Sequence, residues 1–221
     1  MTEIRALLFD LDGTLLDTDP LHAGVFQRLF AERGQVIDRA FYDDRIHGRL
    51  NADIFGEFFP GEDAQAMSEA KEAAFREKLG QQAPPMPGLP ALLARADRSG
   101  WPVAVVTNAP RANAQAMLAA IGLSDRFDAV IIGEECRSGK PDPEPYSEAM
   151  RRLGVPAAAC LAFEDSRSGI ASAKAAGARV VALRSTLDDA ALRAAGADHV
   201  IQDFNDTALR DLLECREGVT E

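Results

Sequence analysis

The chain has 221 residues, of which 47% are hydrophobic and 27% charged, as expected for a globular protein of one large domain or a domain plus a smaller one. Its net charge of −11 argues against a non-specific nucleic-acid binder, which would be expected to carry a basic face. Three scattered cysteines without metal-ligand spacing predict reduced thiols. No apolar run is long enough to span a membrane, and the N-terminus has no signal-peptide profile. We therefore expect a cytoplasmic protein without nucleic-acid or membrane partners.

Short apolar runs bounded by turn or cap residues predict strands at 4–9, 102–107, 128–133, 160–164 and 179–184, with a weaker sixth run at 199–201. The runs are apolar at consecutive positions, which is typical of strands covered on both faces of a parallel sheet. Helical patterns between them end at Gly122, Gly154 and Gly177. This alternation predicts an α/β fold with a doubly wound, Rossmann-like, mostly parallel sheet.

The interval between the first two strands is roughly ninety residues long, far more than one crossover helix needs. It contains seven of the eleven phenylalanines, which we expect to form a hydrophobic core of their own. One helix is predicted to start at Pro20, with Asp19 as its cap, and to end at Gly34. A second helix is predicted over about 61–79.

The same interval closes with a proline-rich stretch at 83–88, which has the composition of a stiff linker. We therefore predict a helical cap domain over residues 16–85. It would be inserted into a catalytic core made of residues 1–15 and 86–221.

Polar side chains follow the predicted strands where a doubly wound sheet binds its ligands, beyond the carboxyl ends. The stretch FDLDGTLLDTD places two carboxylates, Asp10 and Asp12, directly after the first buried strand. Buried unpaired carboxylates are costly, so such a pair usually serves a cation or a substrate. The other loops at this edge carry Thr107, Asn108, Lys140, Glu164 and Asp165.

These residue types suit phosphoryl transfer. Acids from two loops can hold a hard divalent cation, and we expect Mg²⁺ because it prefers oxygen ligands. Lys140 can neutralise a phosphate, and Thr107 can hydrogen-bond its oxygens. One carboxylate can attack phosphorus while its neighbour two positions on protonates the leaving oxygen. The predicted reaction passes through an aspartyl-phosphate.

The motifs FDLDGTLLDT (9–18), VVTNA (105–109), GKPDPEPY (139–146) and FEDSRSGI (163–170) also occur in order and at family-like spacing. With them the chain resembles the haloacid dehalogenase superfamily, specifically its phosphatases with a helical cap inserted after the first motif. The resemblance spans nearly the whole chain. It implies a Mg²⁺-dependent phosphoric monoester hydrolase.

The resemblance also implies roles for the core residues. The first motif would provide the nucleophile and the general acid/base, the next two motifs would bind the phosphoryl group, and the last would complete the metal site. In the first motif, Asp10 would be the nucleophile and a metal ligand, and Asp12 would be the general acid/base and give its backbone carbonyl to the metal. Thr107 and Asn108 would bind the phosphoryl group, and Lys140 would neutralise its charge as a clamp. Asp165 and Glu164 would bind Mg²⁺.

Two alternatives to a simple sugar phosphatase stay open, namely a beta-phosphoglucomutase and a phosphoglycolate phosphatase. Beta-phosphoglucomutase keeps both acids but characteristically has Val or Ile where Thr14 stands, and an arginine where Ala52 stands. His22 matches the cap-helix histidine of the mutase, yet many phosphatases share it, so it is either a core residue of the cap or a substrate-sensing one. An arginine, Arg45 or Arg49, on a substrate carboxylate would instead suit phosphoglycolate.

The cap stretch 46–60 resembles that of the broad sugar-phosphate and glycerol-phosphate phosphatases. The resemblance implies that His47, Gly48, Arg49 and Asn51 face the active site and read the hydroxyls or charge of the substrate. A phospho-accepting receiver domain fits less well, because receivers are about half this length and have no cap. We therefore expect a monomeric phosphatase of small phosphorylated metabolites, with a mutase or a phosphoglycolate phosphatase as alternatives.

Overall fold

A computed structural model describes residues 3–47 and 49–214. Within these residues strands and helices alternate along the chain, apart from a run of helices after the first strand. In order, the elements are β1 (Ala6–Phe9), α1 (Asp19–Ala31), α2 (Arg39–Arg45), α3 (Asn51–Phe58), α4 (Ala64–Leu79), α5 (Leu89–Ser99), β2 (Val103–Thr107), α6 (Arg111–Ala120), β3 (Ala129–Ile132), α7 (Glu144–Leu153), β4 (Cys160–Glu164), α8 (Arg167–Ala175), β5 (Arg179–Leu183), α9 (Asp189–Ala194), β6 (His199–Ile201) and α10 (Thr207–Glu214). Short 3₁₀ turns lie at Gly133–Glu135 and Ala157–Ala159.

The six strands form one parallel sheet in the order β3-β2-β1-β4-β5-β6. The first strand is central, with Leu8 paired to Ala104 of β2 on one side and to Ala162 of β4 on the other. The predicted doubly wound α/β fold is confirmed, and all six predicted strands are present. The sheet order reverses next to β1, so the switch point lies where the first acidic motif leaves the sheet.

Helices cover both faces of the sheet, which explains the continuous apolar runs. Leu7 and Phe9 of β1 pack in one cluster with apolar residues of α5, α6 and α10. Ala6 and Leu8 face the opposite cluster, with apolar residues of α7, α8 and α9. Both sets of side chains are therefore removed from water, which is the main source of stability in such a sheet.

The helices α1 to α4 occupy the interval between β1 and α5, and their phenylalanines pack against one another without forming a core separate from that of the sheet. The ring centre of Phe30 lies 4.9 Å from that of Phe59, 5.4 Å from that of Phe58 and 6.0 Å from that of Phe41. This cluster is continuous with the one on the Phe9 face of the sheet. The boundaries of the cap domain at 16–85 stay a prediction.

Two details of this helical segment differ from the prediction. The sequence pattern predicted two helices, and the structure has four, because α2 and α3 are too short to show a full apolar period. Asp19 does not cap α1; it lies in the first turn after Thr18, and its carboxylate accepts hydrogen bonds from Arg39 and from Tyr42. The expectation that Asp19 acts as a cap was wrong because a tertiary partner claims its side chain.

Within the two described ranges, no helix is both long and apolar enough to cross a membrane.

Candidate active site

Three buried carboxylates meet at the carboxyl edge of the sheet. Asp10 follows β1, Glu164 ends β4, and Asp165 follows it directly. Each offers an oxygen, and these three atoms lie within 4.8 Å of one another. The parallel arrangement of β1 and β4 brings them together, because Phe9 pairs with Phe163 and the two strands end side by side.

Lys140 reaches this cluster from the loop that follows β3. Its Nζ atom donates hydrogen bonds to Oδ1 of Asp10 and to Oε1 of Glu164, each at 2.5 Å. The lysine side chain is only 3% exposed, so this ion pair is shielded from solvent screening. Burial alone would lower the pKa of Lys140, but the charges of Asp10 and Glu164 outweigh it and raise the pKa above its usual value. Lys140 is therefore held as an ammonium.

Glu164 is surrounded by donors. Besides Lys140, the hydroxyl of Tyr146 donates to its Oε1 atom at 2.8 Å. The hydroxyl of Ser166 donates to its Oε2 atom at 3.1 Å. Tyr146 is itself completely buried, which makes Glu164 a fixed support for the lysine.

Asp165 has a different surrounding. The hydroxyl of Ser185 donates to its Oδ2 atom at 2.6 Å, and Thr14 donates to Oδ1 at 3.4 Å. The backbone of Gly13 passes so close that a Cβ atom there would lie 2.1 Å from Oδ2. Gly13 also has a φ of +71°, which other residues rarely adopt. The glycine of the DGT motif is therefore required both for its turn and for this close approach.

The cluster carries more negative charge than Lys140 can balance. Burial raises the pKa of Asp10 well above its usual value; Lys140 opposes this rise, and Glu164 adds to it. Burial, followed by the charge of Glu164, raises the pKa of Asp165 to about 7. Three buried carboxylates around a single ammonium thus favour a second cation.

A divalent cation fits these residues. Asp10 and Asp165 are hard oxygen donors from two loops, as Mg²⁺ prefers, and an added positive charge would offset the excess negative charge of the cluster. Glu164 already accepts hydrogen bonds from Lys140, Tyr146 and Ser166, so it fits a supporting role better than direct coordination.

Thr107 and Asn108 lie where β2 ends. The Thr107 hydroxyl is buried and accepts a hydrogen bond from the backbone N–H of Ala109 at 3.0 Å. The side chain of Asn108 forms a reciprocal pair with the backbone of Lys140, as both its Nδ2 and Oδ1 atoms bond there at 3.0 Å. Asn108 therefore ties the loop of Lys140 to the end of β2, while its role in phosphate binding stays a prediction.

Asp12 lies beside this cluster and faces the helical segment. Its Oδ1 atom accepts a hydrogen bond from the hydroxyl of Thr18 at 2.9 Å and lies 3.2 Å from Nε2 of His22. Burial alone would raise the pKa of Asp12, but the contacts with His22 and Thr18 outweigh it and lower the pKa below its usual value. Asp12 is therefore held ionised in this geometry.

His22 links Asp12 to helix α4. Its ring stacks on Phe75, with the ring centres 4.2 Å apart, and its Nδ1 atom lies 3.0 Å from Nζ of Lys71. Lys71 is 5% exposed and also donates to Glu72 at 2.9 Å. His22 thus packs in the cap and also contacts Asp12, while its role in substrate sensing stays a prediction.

A cavity of about 670 Å³ opens above Asp12, between the helical segment and the end of β2. The predicted cap residues Arg49 and Asn51 line it. An adjoining cavity of about 200 Å³ is lined by His47 and by Asp165. Gly48 lies outside the described residues, and the roles of all these cap residues stay predictions.

Several residues at the site were assigned no role from the sequence. Lys71 had a detectable signal, because it interrupts the buried stripe of α4 formed by Met67, Ala74 and Phe75. Thr18, Tyr146 and Ser166 lie inside the motifs quoted above, but the motifs do not indicate what these side chains contact. Only the fold shows the contacts of Ser185, Glu72 and Asn113.

A parallel sheet that carries a carboxylate-lysine cluster at its switch point is the arrangement that the sequence predicted for a hydrolase of the haloacid dehalogenase superfamily. A comparison of this chain with known protein families agrees. The chain matches the family described as haloacid dehalogenase-like hydrolase over residues 4–177, and it belongs to that family. The predicted family and the prediction of an enzyme are confirmed.

Two curated relatives illustrate the relationship. The chain is 36% identical over 192 residues to Protein CbbY of Rhodobacter capsulatus, covering 81% of this chain and 85% of that protein. It is 32% identical over 186 residues to fructose-1-phosphate phosphatase YqaB of Escherichia coli K12, covering 80% of this chain and 95% of that protein.

Solved structures show the same architecture over most of the chain. A family IA, variant 3 hydrolase from Entamoeba histolytica superposes with a TM-score of 0.86 at 27% identity, covering 95% of this chain and 98% of that one. A beta-phosphoglucomutase from Clostridium difficile superposes with a TM-score of 0.77 at 25% identity, covering 91% and 92%.

Proposed function

We propose that this chain is a Mg²⁺-dependent phosphatase that hydrolyses small sugar or polyol phosphates through an aspartyl-phosphate on Asp10. The observation that carries the proposal is the buried set of Asp10, Glu164 and Asp165 around Lys140, next to a cavity lined by Asp12. This arrangement offers a carboxylate nucleophile, positive charge for a phosphoryl group and space for a leaving group.

In the first step, a carboxylate oxygen of Asp10 attacks phosphorus and the bond to the leaving oxygen breaks. Lys140 donates a hydrogen bond to Oδ1 of Asp10, which leaves Oδ2 as the attacking atom. Lys140 and backbone N–H groups after Thr107 stabilise the negative charge of the transferring group. When bound by Asp10 and Asp165, Mg²⁺ would supply further positive charge to neutralise the phosphate.

Asp12 handles the proton in both steps. Asp12 is ionised without substrate, so it must take up a proton from solvent as the substrate binds. It gives this proton to the leaving alkoxide in the first step. In the second step it takes a proton from the water that attacks the phosphoenzyme, and the bond between phosphorus and Asp10 breaks. The carboxylate of Asp10 is thereby restored and inorganic phosphate is released. The contacts of Thr18 and His22 hold Asp12 in place for these transfers.

The cavity favours a neutral, hydroxyl-rich leaving group. Arg45 and Arg49 both pair with Glu57, at 2.5 and 2.8 Å. Lys71 pairs with Glu72, while Arg76 donates to Asn113. These cations of the cap already have partners, which disfavours the carboxylate of phosphoglycolate and the second phosphate of a mutase intermediate.

The experiment measures phosphate release from sugar phosphates, glycerol phosphates, phosphoglycolate and beta-glucose 1-phosphate, with Mg²⁺ and with EDTA. We expect release from several sugar or polyol phosphates that needs Mg²⁺. Asp10→Asn should lower kcat by at least about 10³-fold with the fold intact, and Asp12→Ala should also be severely impaired.

Three outcomes would contradict the proposal. One is a near-normal rate in the Asp10→Asn variant, which would exclude the nucleophile. Another is release that is unaffected by EDTA, which would exclude the metal. The third is glucose 6-phosphate formed from beta-glucose 1-phosphate only when a bisphosphate is added, which would identify a mutase.

The predictions of a monomer and of a cytoplasmic location stay predictions.

A further inference from the structure

Asn113 is a buried amide on a helix face that is otherwise apolar. It is 2% exposed and is followed on α6 by the buried residues Ala114 and Met117. Burial of an amide is costly unless its donors and acceptor are bonded. Asn113 lines the cavity above Asp12 but has no role in the proton or phosphoryl transfers proposed above, so its partners indicate why it is there.

Both ends of the Asn113 side chain bond to helix α4. Its Nδ2 atom donates to Oε2 of Glu72 at 2.5 Å. Its Oδ1 atom accepts a hydrogen bond from Nη1 of Arg76 at 2.6 Å. Glu72 and Arg76 are four residues apart on one face of α4 and have opposite charge. Only one orientation of the amide satisfies both partners. If the amide were rotated by 180°, its NH₂ group would face the donor of Arg76 and its oxygen would face the carboxylate of Glu72.

Glu72 continues the contact toward the catalytic edge. Its Oε1 atom accepts hydrogen bonds from Asn51 at 2.7 Å and from Lys71 at 2.9 Å. Lys71 lies 3.0 Å from Nδ1 of His22, whose other ring nitrogen lies 3.2 Å from Asp12. An unbroken series of polar contacts therefore runs from α6, through α4 and α1, to the acid/base residue.

We propose that Asn113 is a positioning residue that couples the docking of α4 on α6 to the placement of His22 against Asp12. When α4 lies on α6, the amide fixes Glu72, and Glu72 fixes Lys71 behind the histidine. When α4 separates from α6, Glu72 loses one of its partners and Lys71 loses its fixed position. The effect of this coupling on turnover rests on the proposed phosphatase function; the docking itself does not.

The partners allow a reciprocal exchange. Asn113→Asp places a second carboxylate against Glu72 and removes the donor between them. Glu72→Gln cannot keep both contacts, because an amide whose oxygen accepts from Asn113 turns its NH₂ group toward the ammonium of Lys71. The double variant N113D/E72Q restores the hydrogen bond with its direction reversed, keeps an acceptor for Arg76 and leaves the total charge unchanged. Gln115→Glu is the matched control, because it adds the same charge at an exposed position of α6.

Each variant is characterised by two measurements. Hydrogen exchange of the backbone amides of α4 reports docking without any substrate. Steady-state kinetics on the best substrate of the panel, over a range of pH, reports kcat, KM and the pH profile. We expect each single variant to speed exchange in α4 and to lower kcat by about tenfold or more, with less change in KM. The double variant should recover most of both losses, and the control should match the wild type.

Arg76→Met removes one of the two bonds and keeps Asn113, so it tests the coupling even if N113D folds poorly. Exchange and kcat equal to the wild type in N113D or in R76M would overturn the proposal. Losses in the double variant equal to the sum of the single losses would do the same. If the wild type releases no phosphate, the proposed function fails, while the exchange data still decide the docking role of Asn113.

Discussion

The ammonium of Lys140 lies 2.5 Å from the carboxylate of Asp10 and at the same distance from that of Glu164. One lysine thus joins the proposed nucleophile to a carboxylate that Tyr146 and Ser166 hold in place. The position of Asp10 depends in this way on a loop more than a hundred residues further along the chain. Removal of the lysine should therefore affect both the fold and the reaction.

Lys140→Met should lower kcat by about 10²–10³-fold, because the phosphoryl group loses a fixed positive charge. It should also destabilise the protein by about 3–5 kcal/mol, since buried carboxylates lose their counter-ion. The two effects are measured by steady-state kinetics and by denaturant unfolding. Lys174→Met is the control, because Lys174 pairs with Asp198 at 2.8 Å but is 37% exposed, and it should cost no more than about 1 kcal/mol. Equal effects of the two substitutions would contradict the assigned role of Lys140.

Gly169 touches the same carboxylate from helix α8. A Cβ atom at this position would lie 1.9 Å from Oε1 and 2.0 Å from Oε2 of Glu164. Gly169→Ala must therefore displace Glu164, and Lys140 with it. We expect kcat to fall by about tenfold or more and the protein to lose stability.

The matched control for Gly169→Ala is Gly56→Ala in helix α3. No atom lies within 4 Å of a Cβ atom at Gly56, and Gly56 is also helical. Alanine there should leave kcat unchanged and stabilise the helix by about 0.5–1 kcal/mol. A Gly169→Ala enzyme with normal kcat would show that the position of Glu164 is not critical.

The sequence predicted the sheet well because its strands are buried on both faces and read as continuous apolar runs. It also predicted that Asp10, Lys140 and Asp165 lie at one edge of the sheet, and the structure brings them together there. The network around Asn113 was not predictable in the same way. Asn113 and Glu72 are 41 positions apart and meet only because α4 packs on α6. Asn113 interrupts an apolar helix face, but this pattern does not indicate its partner, and Glu72 has the local pattern of an ordinary polar position on a helix.

The contribution of Asp198 to the stability of the folded protein should depend on pH. Its carboxylate accepts hydrogen bonds from Lys174 at 2.8 Å and from the backbone N–H of Val180, at the start of β5, at 2.7 Å. Burial alone would raise the pKa of Asp198, but these hydrogen bonds outweigh it and lower the pKa below its usual value. A carboxyl with a lower pKa in the folded state stabilises the protein above its unfolded pKa of about 3.9, and this contribution is lost as the pH falls through the folded value.

Asp198→Asn should therefore lower the thermal midpoint by about 2–4 °C at pH 7, and the difference from the wild type should shrink toward pH 3. Thermal unfolding followed by circular dichroism at the two pH values measures this. Asp125→Asn, at an exposed position before β3, should change neither value. A difference that persists unchanged at pH 3 would mean that the charge of Asp198 does not matter.

Glu57 should control which leaving groups the cavity accepts. It pairs with both Arg45 and Arg49, and Arg49 lines the cavity above Asp12. Glu57→Gln removes the negative charge, so Arg49 becomes available to an anionic group on the substrate. We expect the ratio of kcat/KM for phosphoglycolate to that for glycerol phosphate to rise by about three- to tenfold. Glu62→Gln is the control, since it frees Arg33, which does not line this cavity, and it should leave the ratio unchanged. The same ratio in both variants would mean that Glu57 does not set the preference for a neutral leaving group.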